Sequence, residues 1–314
     1  MTPAMPKSRP LPDDHKPFAA LPVQMVTTGT GADQIAVHVA GRLGPGRTPI
    51  VCVPGYNRNM ADFADFLQLS TNGLKDNPVV LLDLRGRGRS TDRARPEDYS
   101  SLSDAADLSE VMRALAVERA IFIGQGHGGQ AIMGLAAQRP SLIAGTVLID
   151  AGPVSDSRGL VRLRETLTEL TGVRGEASLR PMLRRMVAAD YPATPEAVLD
   201  ALAMRSHFVD KRGRLQPLFD PTLVRLLEPF DLDSVLVPQW QLFDALGVAP
   251  LMMMRTQLTQ QLRRETFEEM MRRRRDAEAF VIESQGSPAR LDNVDDVQPI
   301  TDFIRATLGL KKAA

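Results

Sequence analysis

Apolar residues along this chain gather into short unbroken runs, separated by longer stretches in which they recur every three or four positions. The runs lie at 34 to 40 (QIAVHVA), 49 to 53 (PIVCV), 78 to 83 (PVVLLD), 119 to 123 (RAIFI), 145 to 150 (GTVLID), 250 to 254 (PLMMM) and 279 to 283 (AFVIE). Runs without a polar face mark strands covered on both sides, and helical stretches between them supply the crossovers that a parallel sheet requires. The pattern therefore predicts an α/β fold with a doubly wound, mostly parallel sheet.

The alternation breaks between about 155 and 238. There GLVRLRETLTELTG, ASLRPMLRRMVAADY and TPEAVLDALAMRSHF read as successive amphipathic helices with no strand between them. The expected organisation is a disordered N-terminal tail over 1–17, an α/β core over 18–154 and 239–310, and a helical cap over 155–238. Low complexity is confined to that tail and the closing KKAA.

Composition narrows the partners. Lys plus Arg number 38 and Asp plus Glu number 38, so no net charge steers the chain to nucleic acid or an anionic membrane. A small-molecule ligand or a protein partner is expected instead, oligomers included. The single cysteine, Cys52, allows no internal disulfide and no thiolate metal cluster. With no apolar h-region and no stretch of about 18 apolar residues, the expected setting is cytoplasmic. No metal or cofactor is expected.

Four motifs follow in order. VCVPGYNRNMADF occupies 51 to 63, LLDLRGRGRSTD 81 to 92, IGQGHGG 123 to 129 and VLIDAGPV 147 to 154. In that order and spacing the chain resembles the α/β-hydrolase fold superfamily, in particular its cap-bearing esterases, epoxide hydrolases and C–C hydrolases. The resemblance implies that the first motif is the loop after the third strand, which helps build an oxyanion hole. It also implies that the second is the structural turn after the fourth strand, and that the cap enters after the sixth. Asp83, Arg85 and Arg89 in that turn are expected to be structural.

In that superfamily G-x-S-x-G places a serine at a strained strand-to-helix turn. Gly124, Gly126 and Gly128 match the frame, which puts Gly126 at the nucleophile's position. The turn's backbone costs a non-glycine residue on the order of 1–3 kcal/mol, and glycine adopts it freely. The resemblance further sets Gln260 where the acid would stand and Ser287 where the histidine would follow glycine. Four histidines occur, none after residue 207. His15 falls in the tail, His38 in an early strand and His207 in the cap; only His127 falls at the expected pocket. Near a helix N-terminus its ring is expected to stay neutral, as a hydrogen-bonding group or a base.

Tyr56, Asn57, Arg58, Gln125, Gly126 and His127 are thus the expected ligand-pocket residues, with Arg58 suited to a carboxylate and Tyr56 to an apolar group. Backbone N–H groups of His127 and near Tyr56 are expected to form an anion nest. Asp150 ends a strand, but without a histidine to orient it has no triad role. RRRRD at 272 to 276 reads as a solvated helix end, and Met252, Met253 and Met254 as core strand.

Three readings of function stay open. The leading one is a non-hydrolytic pseudo-enzyme that binds a small carbonyl or carboxylate ligand, or a partner, under its cap. The second is a lyase or cofactor-independent oxygenase with His127 as base. The third is a scaffold or oligomer subunit with a filled pocket.

Overall fold

The computed structural model describes residues 11 to 310, apart from 13, 30, 31, 72 and 172 to 175. Ten strands and ten α-helices alternate along them. In chain order these are β1 Gln24–Thr28, β2 Asp33–Ala40, β3 Ile50–Val53, α1 Ala64–Ser70, β4 Val79–Leu82, α2 Ser101–Ala114, β5 Ala120–Gln125, α3 His127–Gln138 and β6 Ile143–Ile149. The segment that follows holds α4 Ser157–Thr171, α5 Glu176–Ala188, α6 Glu196–Met204, β7 His207–Val209, β8 Leu215–Pro217 and α7 Thr222–Arg225. The chain closes with α8 Trp240–Asp244, β9 Leu251–Thr256, α9 Arg264–Arg273, β10 Glu278–Ile282 and α10 Val294–Thr307.

Eight strands form one sheet in the order β1-β2-β4-β3-β5-β6-β9-β10. β1 pairs antiparallel with β2 and β2 with β4, and every later pairing is parallel. The unbroken apolar runs explain the centre: every residue of β3, β4, β5 and β6 is buried. Alternate side chains feed two cores. Val51, Val53 and Phe122 meet α2, α3 and α9 on one face, while Ile50, Cys52 and Ile121 meet α1 and α10 on the other. Each fully buried Val, Ile or Leu contributes roughly 1.5–3 kcal/mol. Met252, Met253 and Met254 are core, as expected.

The pattern missed β1. In QMVTT only Val26 and Thr28 are buried, so an edge strand with one wet face shows no apolar run. The apolar run of β10 implies cover on both faces, but it too is an edge strand, with Val281 exposed and Ile282 buried. The helices of the 155–238 segment form as expected, yet the same segment holds a β7-β8 hairpin. Three-residue strands joined across Gly213, at φ +69°, are too short to carry a period.

Of the tail expected to be disordered, residues 1–10 and 13 lie outside the described residues, as does KKAA. The described part is anchored: Lys16–Phe18 forms a 3-10 turn, and buried His15 sets Nε2 2.9 Å from the Met204 carbonyl. The arginine run is only partly solvated. Arg272 and Arg273 pair with Glu269, but Arg274 is largely buried against the Ala249 carbonyl and Asp276.

Candidate ligand-binding site

β5 ends in the middle of the sheet, and one residue turns the chain into α3. That residue, Gly126, has φ 49° and ψ −116°, a conformation open to glycine and costly for L side chains. Helix α3 lies close to β3 because Gly128 lacks a Cβ, which would overlap the carbonyl oxygens of Val53 and Pro54. Its first N–H groups have no intrahelical acceptor. The N–H of His127 and that of Tyr56 find no hydrogen-bond partner among the described residues.

A second cluster stands at the carboxyl ends of β6, β9 and β10. Asp150, at φ 50°, accepts from the Thr256 N–H at 2.8 Å and the Thr256 hydroxyl at 2.6 Å. The Ser287 hydroxyl also donates to its carboxylate, and Thr259 Oγ1 lies 2.7 Å from Ser287 Oγ. Burial pushes the Asp150 carboxyl up to about 6, against the lowering pull of the Ser287 and Thr256 hydrogen bonds. The residue that reaches the elbow from this side is Gln261: a Cβ on Gly126 would overlap its Oε1. Gln260, the position expected from sequence, does not line the pocket; its carbonyl faces Gly159.

The loop after β3 brings Tyr56, Asn57 and Arg58 to the same place. Arg58 is not free for a carboxylate ligand, because Nε and Nη2 grip Asp62 at 2.7 and 2.6 Å. Burial alone would lower its pKa, and the Asp62 charge raises it instead. Tyr56 donates its hydroxyl to the Leu223 carbonyl of α7 at 3.0 Å, and Arg87 Nε holds the Tyr56 carbonyl at 2.7 Å. Burial pushes the Tyr56 phenol up to about 12.

His127 faces a carboxylate that sequence reasoning did not place there. Its Nε2 is 2.7 Å from Asp104 Oδ2, and its ring meets the Tyr56 ring edge-on at 5.5 Å. Asp104, fully buried on α2, also pairs with Arg87 at 3.4 Å and Arg93 at 2.6 Å. Burial would raise its carboxyl, but Arg87, His127 and Arg93 hold it well below the usual range. That carboxylate, on α2, is the charge nearest the His127 ring. Asp83, Arg85 and Arg89 are structural as expected: Asp83 accepts from the Met60 and Arg89 N–H groups, and Arg85 binds the Thr91 and Asp92 carbonyls.

Two cavities flank Gly126, of about 130 and 320 Å3. Tyr56, Gly126, Asp150, Leu163 and Gln261 border both. Asn57, Arg58, Gln125 and Ser287 line the smaller, and His127 the larger. The filled pocket of the scaffold reading does not occur. From the segment after β6 the smaller cavity takes His207, to which the sequence gives a place but no role. Burial and Arg58 bring its imidazole down to about 3, so the ring there is neutral. No local signal marks His207, since apart from Leu202 and Ser206 the residues lining its cavity come from distant segments. Among the described residues Arg58 is the only lysine or arginine on either wall. Among the described residues no cluster of His, Cys, Asp and Glu could hold a metal, and no helix is long and apolar enough to cross a membrane.

Comparison with known proteins agrees with this architecture. A family model described as "Alpha/beta hydrolase family" matches residues 50–298. Among curated proteins, "Putative carbamate hydrolase RutD" of Caulobacter segnis is 29% identical over 187 residues, 59% of this chain and 67% of that protein. An alpha/beta hydrolase structure from Novosphingobium aromaticivorans superposes with a TM-score of 0.78 at 26% identity, covering 91% of this chain and 98% of that one. E-2-(acetamidomethylene)succinate hydrolase shares the fold at 20% identity and a TM-score of 0.71, covering 90% of this chain and 99% of that one.

Proposed function

The chain belongs to the alpha/beta hydrolase family, and we propose that it is a member that binds a small uncharged carbonyl compound beneath its cap without forming an acyl-enzyme. The observation that carries the reading is the pair Gly126 and Gln261. At the turn where this family presents a nucleophile there is no side chain, and a carboxamide fills the space a side chain would need. Ser287 supports it, since its hydroxyl meets Asp150 where the family's mechanism needs an imidazole between acid and nucleophile. Without nucleophile and base, what remains of the machinery is recognition: the Tyr56 and His127 N–H groups suit a carbonyl oxygen.

Charge selects the ligand class. Asp150 borders both cavities and Arg58 is committed to Asp62, so an anion would be buried beside a carboxylate without a counter-charge. The carboxylate ligand suggested by Arg58 alone is therefore set aside in favour of esters, lactones and amides. The Caulobacter segnis relative is described as "Putative carbamate hydrolase RutD", and an uncharged carbamate ester carries the same carbonyl; the proposed site keeps that recognition and omits the hydrolysis.

A second reading rests on the His127–Asp104 pair, because an imidazole oriented by a buried carboxylate at a cavity wall is what proton abstraction uses. One experiment addresses both. Purified protein is incubated with a fluorophosphonate probe and graded p-nitrophenyl esters, and screened by thermal shift against uncharged carbonyl compounds and matched carboxylates. No labelling, no burst and stabilisation by the uncharged set are expected. Covalent labelling of any serine defeats the binding reading, and turnover of a stabilising compound that His127→Gln abolishes favours the second.

A further inference from the structure

We infer that Gln261 is the specificity-determining residue of this site and that the ligand it selects is a primary carboxamide; the inference rests on the binding reading above. Three observations converge on it. The Gln261 backbone N–H is tied to Thr259 Oγ1 at 3.1 Å, which fixes the loop, while its side-chain amide has no hydrogen-bond partner among the described residues. Its Oε1 stands over Gly126. It also borders both cavities, so a ligand lying across the elbow passes against it.

A free carboxamide presents one donor and one acceptor side by side in a plane. The uncharged group that answers both at once is another primary carboxamide, through two antiparallel N–H···O bonds. An ester accepts but does not donate, and meets only half of the pair. A carboxylate also lacks the donor, and at neutral pH it brings a second negative charge beside Asp150. The ligand's carbonyl oxygen has a second lone pair, which suits the unpaired N–H groups of His127 and Tyr56. The larger cavity specifies the rest of the molecule. Leu160, Leu163, Leu226, Leu227 and Phe230 supply apolar walls that fit an aromatic or short aliphatic substituent.

The test is a ligand-observed NMR titration of the full chain with benzamide, methyl benzoate and benzoate, on wild type, Gln261→Leu and Gln261→Ala. Gln261 is exposed, so both variants are expected to keep the wild-type melting temperature. Benzamide is expected to bind wild type most tightly. Both variants are expected to lose about tenfold in benzamide affinity, about 1.4 kcal/mol, with methyl benzoate changed less than about threefold, the residue of a shape effect alone. The inference falls if benzamide binds no better than methyl benzoate, if the variants bind benzamide as wild type does, or if none of the three binds. Ester hydrolysis or serine labelling in the same samples is a separate readout. It overturns the binding reading while the amide preference and its dependence on Gln261 are still scored.

Discussion

The Ser287 hydroxyl donates to the Asp150 carboxylate, joining residues 137 positions apart at the carboxyl ends of β10 and β6. Asp150 is buried, and its carboxylate is held by the Thr256 N–H and hydroxyl and by the Ser287 hydroxyl. Burial still wins, and raises the carboxyl from its ordinary value to about 6.

A pH dependence follows, with its sign set by that direction. The folded state holds the Asp150 proton more tightly than the unfolded state. Its contribution is therefore full below about pH 4 and lost as pH rises through about 6. Asp150→Asn removes the dependence, so the variant should gain stability relative to wild type between about pH 4 and 6 and level off above 7. The gain is on the order of 1–3 kcal/mol, from about 1.36 kcal/mol per pH unit. Asp107, also raised to about 6 by burial, cancels in the difference. Denaturant titrations at stepped pH check it, and a difference curve flat from pH 4 to 7 refutes it.

Gly126→Ala should destabilise the protein by about 1–3 kcal/mol, since the turn's positive φ is retained while the new methyl meets Gln261 Oε1. Gly126→Ser alone should stay unlabelled by a fluorophosphonate. Combined with Ser287→His and Gln261→Ala it should label, at a rate on the order of 10²-fold above the background of the single variant, because an imidazole then stands between Asp150 and the new hydroxyl. Mass spectrometry of the labelled serine distinguishes the outcomes.

Asp104→Ala should cost about 3–5 kcal/mol, because it strands Arg87, Arg93 and His127 around a buried site. His127→Ala should cost less, about 1–3 kcal/mol, as Asp104 keeps both arginines. Urea melts of the two variants order them; equal losses would mean that the histidine, not the arginines, is the main partner.

Arg58→Met should lower stability by about 3–5 kcal/mol through the abandoned Asp62 carboxylate, which is almost fully buried. Binding of benzoate by the protein should be no weaker in this variant than in wild type. A benzoate affinity that drops tenfold with Arg58→Met would restore the carboxylate reading.

Much of this molecule was legible in one dimension. The unbroken apolar runs specify buried parallel strands because a strand covered on both faces has no place for a polar residue. Glycines at 124, 126 and 128 specify the tight turn after β5, because there the backbone, rather than any side chain, sets the conformation. These are properties of consecutive residues. The Tyr56, Asn57, Arg58, Gln125, Gly126 and His127 neighbourhood was also within reach, since it sits at strand ends that the family resemblance orders.

What each of those residues does was decided by partners that local pattern does not encode. Arg58 is spent on Asp62, His127 lies against an Asp104 on another helix, and Asp150 is held by Thr256 of β9 and by Ser287 of the loop after β10. Gln261 rather than Gln260 reaches the elbow, because a loop's side-chain directions follow its backbone path and not its order in sequence. The edge strands β1 and β10 and the β7-β8 hairpin belong to the same class. Half-wet or very short strands acquire their state from what packs beside them, a tertiary fact with no period of its own.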